Sequence, residues 1–342
     1  MKLFNKNTDI DLIFIAEIGV NHEGSITKAK ELISLAKSAG ADAVKFQSYT
    51  PNKYVTAKDK ERYERIGKFY FNEKIFIELK KYAQSINIPI FSTAVTEDWV
   101  EILAKHFDVI KIASGDLNFK PVIDLALSTN KTIILSVGGG TEEEIIKTME
   151  WAKQASKTNS IENRLILMHC VSAYPVPIEE VNLKNISWLK DKFNLNIGYS
   201  NHVIGPVACY TAIALGANIL EVHFTDKKTD RTFRDHALSF EPNDLKELIS
   251  TANKIKASLG YYKTFRPISE KNNISSMRKG VVYSRSLKEG SVIQRDDLHF
   301  ARPSNTGNIN IAPHEYKDSM IGKTLKKSVS ANFLIDVNDF KK

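Results

Sequence analysis

Cysteine is nearly absent: two residues in 342, Cys170 and Cys209, with no Cys-x-x-Cys pair and no Cys/His ligand spacing. That excludes a disulfide framework and a structural zinc site. Long apolar runs are absent as well. The N-terminal run Leu12–Ala16 stops at Glu17, far short of the ~20 residues a membrane span needs. A dinucleotide fingerprint is missing. Where G-x-G-x-x-G should follow the first strand, the chain reads Glu17-Ile-Gly-Val-Asn-His-Glu-Gly24. Concentrated positive charge is missing too. The formal charge is +8, but Lys and Arg are scattered, and short pairs such as Lys326–Lys327 lack interleaved aromatics. The expectation is a cytoplasmic protein with no nucleic-acid or membrane partner. Its basic balance suits a small anionic substrate.

What the chain does have is alternation. Eight short runs rich in Ile and Val recur: Ile13–Ile18, Ala43–Gln47, Ile88–Thr93, Val109–Ala113, Thr132–Val137, Arg164–His169, Asn196–Tyr199 and Ile219–Phe224. Nearly continuous apolar runs of this length suit strands buried on both faces of a parallel sheet. Helical patterns lie between them. Thr27–Ala39 sets Ala29, Ile33 and Ala36 on one stripe before Gly40. Thr141 and Glu144 form a capping box ahead of a helix running through Trp151. Pro206–Leu215 starts at proline and stops at Gly216. This pattern predicts a (β/α)8 TIM barrel over residues 1–258, ending in the helix Asn243–Ser258. Gly138-Gly-Gly140 precedes an acidic helical turn that would repel phosphate, so it reads as a turn. Residues 259–279 read as an irregular polar linker. From Gly280 the runs are short and turn-rich (Val281–Tyr283, Gly290–Ile293, His299–Arg302, Gly322–Leu325), which predicts a small β-rich domain over 280–342.

A parallel barrel keeps its chemistry at the strand C-termini, and polar residues interrupt these strands there. Glu17 ends the first strand, Lys45 and Gln47 share one face of the second, and Thr93 ends the third. Lys111 sits among aliphatics in the fourth, which leads into Ser114 and Asp116. Ser136, His169 and Ser200-Asn-His202 end the next three, and the eighth is Glu221-Val-His223. A buried, unpaired ammonium is costly. Each inward lysine therefore needs a structural carboxylate or an anionic ligand. The hydroxyls of Ser114, Ser136 and Ser200 on neighbouring strands favour the ligand, a phosphate or carboxylate. His202 and His223, on adjacent strand ends, are either satisfied core residues or two imidazoles sharing one cation. Mn²⁺ or Mg²⁺ would suit that second reading, with water and substrate completing its shell. His169 has no such companion and reads as structural.

These segments carry a resemblance to the sialic acid synthases, the enzymes that make N-acetylneuraminate, legionaminate and pseudaminate. The matching pieces are Ala16–Gly24, Ala39–Gln47, Ile110–Gly115, His169-Cys-Val-Ser-Ala-Tyr-Pro175, Gly198–His202, Glu221–Thr225 and Arg234–Ser239. They keep their order across nearly the whole chain. The tail containing Ala301-Arg-Pro303 resembles the family's antifreeze-like (SAF) domain. The resemblance implies condensation of phosphoenolpyruvate with an open-chain N-acetylamino sugar. N-acetylmannosamine, giving N-acetylneuraminate and phosphate, is the first expectation. A diacetamido-dideoxyhexose, giving legionaminate or pseudaminate, is the alternative.

The resemblance also implies roles. Lys45, Lys111, Ser114, Ser136 and Ser200 would hold phosphoenolpyruvate, and Thr93 is counted with the substrate-binding residues. His202 and His223 would ligate the divalent metal. Glu17, Gln47, Tyr174 and Asp235 would face the sugar, with Glu17, Asp235 and Tyr174 as the candidate catalytic groups. Arg302 would reach the sugar in a partner's barrel within a domain-swapped homodimer. Two positions depart from the pattern. Asp116 stands where many N-acetylneuraminate synthases have Glu, and Ser172 where Asn is common before Tyr-Pro; both bear on which sugar is used. One rival is a synthase acting on a phosphorylated aldose, which would need an extra cationic site. Another is a non-catalytic polysaccharide-assembly protein, which would be expected to have lost a lysine or histidine.

Overall fold

The computed structural model describes residues 1–156, 161–231, 233–260, 266–302 and 313–341. The chain divides into two compact units, Met1–Gly260 and Tyr261–Lys342. In the first, eight parallel strands close into a barrel: β1 (Ile13–Gly19), β2 (Ala43–Ser48), β3 (Ile90–Ala94), β4 (Val109–Ile112), β5 (Thr132–Ser136), β6 (Leu165–His169), β7 (Asn196–Asn201) and β8 (Ile219–His223). β8 pairs with both β7 and β1, which completes the ring. This is the expected (β/α)8 architecture.

Period-2 alternation divides each strand between two apolar clusters. Phe14, Ala16, Ile18, Val44 and Phe46 pack outward with the surrounding helices. Ile13, Ile15, Ala43, Phe91, Val109, Ile134 and Ile219 form a second, smaller cluster in the interior. The helices start and stop as their sequences dictate. Ser25 caps Ile26–Ala39 by accepting from the Lys28 amide, and Gly40 ends that helix at φ +97°. Thr141 and Glu144 make the anticipated capping box on Glu142–Ala155. The remaining expected helices run over Val207–Ala214 and Pro242–Leu259.

Two features of this unit were not anticipated. A hairpin of two-residue strands, Lys2–Leu3 and Lys6–Asn7, precedes the barrel. Its Leu3 joins the interior cluster, and the Phe4 ring lies 5.4 Å from that of Phe91. The loop after β2 carries two helices, Pro51–Tyr54 and Lys60–Phe69. Ile66 and Phe69 of the longer one pack on Val20 and Tyr49. No described helix is long and apolar enough to cross a membrane.

In the second unit, β9 (Gly280–Tyr283) pairs antiparallel with β10 (Leu298–Ala301). Isolated bridges join Val282 to Leu334, Leu287 to Val329 and Val292 to Thr324. Val281, Tyr283, Ile293, Leu298 and Leu325 are among the residues of its own core. The segment expected to be an irregular linker contains a helix, Ile268–Met277. Its polar sequence offers no apolar stripe, the signal by which a helix is recognised. Arg302 follows β10 and is exposed.

Candidate active site

Toward the strand C-termini the inward positions change character. After Ile15 comes Glu17, after Ala43 Lys45, after Phe91 Thr93, after Val109 Lys111, after Ile134 Ser136, and after Ile219 Glu221 and then His223. The barrel thus ends in a polar layer, which lines a cavity of about 1010 Å³. Every barrel residue given a binding, catalytic or metal role from the sequence lines that cavity, including Gln47, Ser114, Asp116, Ser172, Tyr174, Ser200, His202 and Asp235. Arg302 belongs to the second unit.

The two lysines are in different electrostatic situations. Lys45 Nζ lies 2.9 Å from Glu17 Oε2 and 3.5 Å from Glu221 Oε1, and it donates to Thr93 Oγ1 at 3.0 Å. Burial pulls this ammonium toward neutrality, but the two carboxylates outweigh burial and raise its pKa. Lys45 therefore has the structural partners that the sequence left as one alternative. Lys111 donates to Ser136 Oγ at 2.6 Å and to the Ile112 carbonyl at 3.0 Å, and it makes no ion pair among the described residues. Burial lowers its pKa, and the more distant Glu221 offsets this only in part. An anion entering the cavity would complete the charge balance of Lys111.

Glu221 is the functional residue that the sequence reading did not assign. Its Oε1 accepts from Ser200 Oγ at 2.9 Å, while its Oε2 is buried with no hydrogen-bond partner among the described residues. Burial alone would raise its pKa, but Lys45 and Lys111 hold it below the usual carboxylate range. The signal was present: Glu221 stands two positions before His223, so alternation puts both side chains on the inner face. Beside this group, Gln47 Nε2 donates to Glu17 Oε1 at 3.2 Å.

The imidazoles of His202 and His223 have ring centres 5.4 Å apart. His202 Nδ1 is 2.7 Å from the Val171 carbonyl, which can only accept. The ring proton is therefore on Nδ1, and Nε2 keeps its lone pair. Burial, followed by His223, brings the His202 pKa down to about 3, so the ring is neutral. His223 Nδ1 is buried without a hydrogen-bond partner among the described residues and lies 3.9 Å from Asp235 Oδ2. Two imidazoles, each with a ring nitrogen left free of hydrogen-bond partners among the described residues, fit a divalent cation. No three His, Cys, Asp or Glu side chains converge on a metal position among the described residues. The protein's share of such a shell would then be small, leaving room for water and substrate. Tyr174 packs its ring 4.2 Å from His202, with the Arg234 guanidinium 5.1 Å from the Tyr174 ring centre. His169, by contrast, bonds the Val181 carbonyl at 2.7 Å and stacks on Tyr199, as a structural histidine would.

The opposite wall is less charged. Ser114 and Ser172 hydroxyls meet at 2.8 Å, and burial pushes the Asp116 carboxyl up to about 6. Gly138 is required here. A Cβ at that position would stand 2.6 Å from Cys170 Sγ and 2.9 Å from Ser172 Oγ, so the glycine run is a close-packed turn, as read. The mouth is completed by a wall that the sequence did not reveal: Lys53, Tyr54, Arg62, Arg65 and Phe69 from the two helices after β2, and Phe233.

Residues 32–264 match the NeuB family, and residues 278–341 match the SAF domain. The N,N'-diacetyllegionaminic acid synthase of Campylobacter jejuni is 33% identical over 94% of this chain and 98% of its own. A pseudaminic acid synthase of Campylobacter jejuni is 31% identical, with both chains covered in full. Among solved structures, an N-acetylneuraminic acid synthetase from Leptospira borgpetersenii superposes with a TM-score of 0.73 at 32% identity. That match covers 78% of this chain and 91% of the other. A TIM barrel ending in this cavity, followed by a SAF domain, places the chain in the NeuB family of sialic, legionaminic and pseudaminic acid synthases.

Proposed function

We propose that this enzyme joins phosphoenolpyruvate to an open-chain 2-acetamido sugar, releasing inorganic phosphate and a nonulosonic acid. N-acetylmannosamine, giving N-acetylneuraminate, is the first candidate substrate. The observation that carries the reading is Lys111, a buried cation with no direct ion pair among the described residues, with the His202–His223 pair in the same cavity.

In the reaction, C3 of phosphoenolpyruvate bonds to the aldehyde carbon of the sugar, whose oxygen takes a proton and becomes a hydroxyl. Water adds at C2, the C2–O bond to phosphate breaks, phosphate departs, and a 2-keto acid remains. Lys111 and Ser136 hold the anionic end, with Ser114 and Ser200 alongside; their contribution is orientation and charge stabilisation. Lys45, already paired with Glu17 and Glu221, ties the two buried carboxylates together beside that end. Glu17, Glu221 and Asp235 are the groups placed to hold or pass protons. His202 and His223 would hold a divalent cation, Mn²⁺ or Mg²⁺, which when bound supplies Lewis-acid activation of the aldehyde.

The test is phosphate release from phosphoenolpyruvate with Mn²⁺ and a panel of sugars. Turnover with N-acetylmannosamine and its loss on chelation are expected; no turnover with any panel member overturns the reading. A diacetamido sugar belongs on the panel because near full-length relatives are legionaminic and pseudaminic acid synthases. A 6-phosphorylated sugar belongs there because Lys53, Arg62 and Arg65 line the mouth. We further place Arg302 at the sugar of a partner's barrel in a swapped homodimer. Mixing Arg302→Ala chains with Lys111→Met chains should then restore activity, because one site in each mixed dimer has both residues. No recovery in verified mixed dimers rejects the swap.

A further inference from the structure

Four polar residues, Asn21, Glu23, His236 and Ser239, stand outside the lysine and hydroxyl groups described above, yet they join one another. Asn21 Nδ2 donates to the Phe224 carbonyl at 3.0 Å and to Ser239 Oγ at 3.1 Å. Ser239 Oγ in turn donates to the Asp235 carbonyl at 2.6 Å. On the other side, His236 Nε2 lies 3.1 Å from Glu23 Oε1, and its Nδ1 lies 2.7 Å from Thr225 Oγ1. A carboxylate only accepts, so Nε2 carries the proton and Nδ1 accepts from the Thr225 hydroxyl. Asn21, His236 and Ser239 are all buried.

The element these bonds enclose is a helix of four residues, Asp235–Leu238. A single turn has no helical stability of its own; its place is set by what it is tied to. Both ties come from the loop after β1, one to the residue directly after Asp235 and one through the Asp235 carbonyl. Asp235 itself lies beside His223; its Oδ1 is 3.4 Å from the Arg234 guanidinium Nε but has no hydrogen-bond partner among the described residues.

We propose that the Asn21–Ser239 and Glu23–His236 bridges are a two-point clamp that fixes the Asp235 carboxylate beside His223. All four are positioning residues for the sugar end of the site. The consequence for catalysis rests on the reading of Asp235 as a sugar-facing group. The clamp touches neither Lys111 nor Ser136, so its loss should spare phosphoenolpyruvate. A small displacement of a positioned carboxylate is expensive in rate.

Glu23 is about one-third exposed at its side chain (34%), so substituting it should leave the fold intact. The test compares Glu23→Ala, Glu23→Gln and Ser239→Ala. Amide hydrogen exchange of residues 233–240, measured without substrate, should be about tenfold faster in the two alanine variants. Glu23→Gln, which keeps the acceptor, should restore the wild-type rate, and the strands should be unchanged throughout. Wild-type protection in both alanine variants overturns the clamp whatever the reaction proves to be. In turnover, kcat/KM for the sugar should fall about tenfold, with the phosphoenolpyruvate KM within about twofold of wild type. In an Asp235→Ala background the same substitutions should have no further kinetic effect. A loss that persists undiminished there, or that falls on phosphoenolpyruvate, refutes positioning through Asp235. Absence of turnover in the wild type counts against the synthase reading alone, and the exchange measurement still judges the clamp.

Discussion

The two ends of the barrel are built from the same strands, yet the inward residues they carry are opposite in kind. At one end Ile13, Ala43, Val109, Ile134 and Ile219 form a dry cluster, closed by Leu3 of the N-terminal hairpin. At the other, two to four residues further along, stand Glu17, Lys45, Lys111, Ser136, Glu221 and His223. Apolar burial stabilises the first end, whereas the second costs desolvation wherever a charge is left unmatched. Within the polar end the same contrast recurs between Lys45, paired directly with two carboxylates, and Lys111, which makes no direct ion pair among the described residues.

The sharpest way to break this comparison is to treat the two lysines alike. Lys45→Met leaves Glu17 and Glu221 buried without their cation. It should cost about 3–5 kcal/mol of stability together with activity. Lys111→Met removes a cation that makes no direct ion pair among the described residues. Chemical denaturation should show no loss of stability, while phosphoenolpyruvate binding weakens roughly 10- to 150-fold, the value of a charge-assisted contact. Equal stability losses in the two variants would contradict the charge assignment.

The dry end supplies the mirror image. Ile134→Ala should cost about 2–5 kcal/mol with both Michaelis constants unchanged. A kinetic defect at a temperature where the variant is fully folded would show that the two ends are mechanically coupled.

The smallest expected effect belongs to Asp116, whose carboxyl is pushed up to about 6 by burial. The folded state binds this proton more tightly than the unfolded chain does. Its contribution to stability is therefore fully present below the ordinary Asp value and declines as pH rises through about 6. If the ionised form accepts from the sugar, the sugar KM should fall roughly two- to tenfold over the same window. Asp116→Asn should flatten both profiles. An inflection near pH 6 that survives the substitution assigns it to another group.

Much of this was legible because β-strand alternation is a strict code. Lys45 with Gln47, and Lys111 among aliphatics, identified the inner face before any coordinates, and His202 with His223 followed from adjacent strand ends. What alternation cannot express is which inward groups find each other across the barrel. The sequence therefore left both lysines with the same two alternatives, and the structure separated them. The hairpin at Lys2–Asn7 escaped because two-residue strands have no period to detect. The helix Lys60–Phe69 escaped because only Ile66 and Phe69 of its ten residues are buried, too few for a stripe. The helix Ile268–Met277 is similarly polar.

The wall formed by Pro51–Tyr54 and Lys60–Phe69 is a single excursion of the chain between β2 and β3. It supplies none of the lysines, serines or imidazoles at the floor of the cavity. Catalytic apparatus and entrance can therefore change independently. An exchange of this one segment between related chains would change the residues at the mouth while those at the floor stay as they are. The mouth of the cavity can then diversify by recombination of one segment, with the barrel strands unchanged.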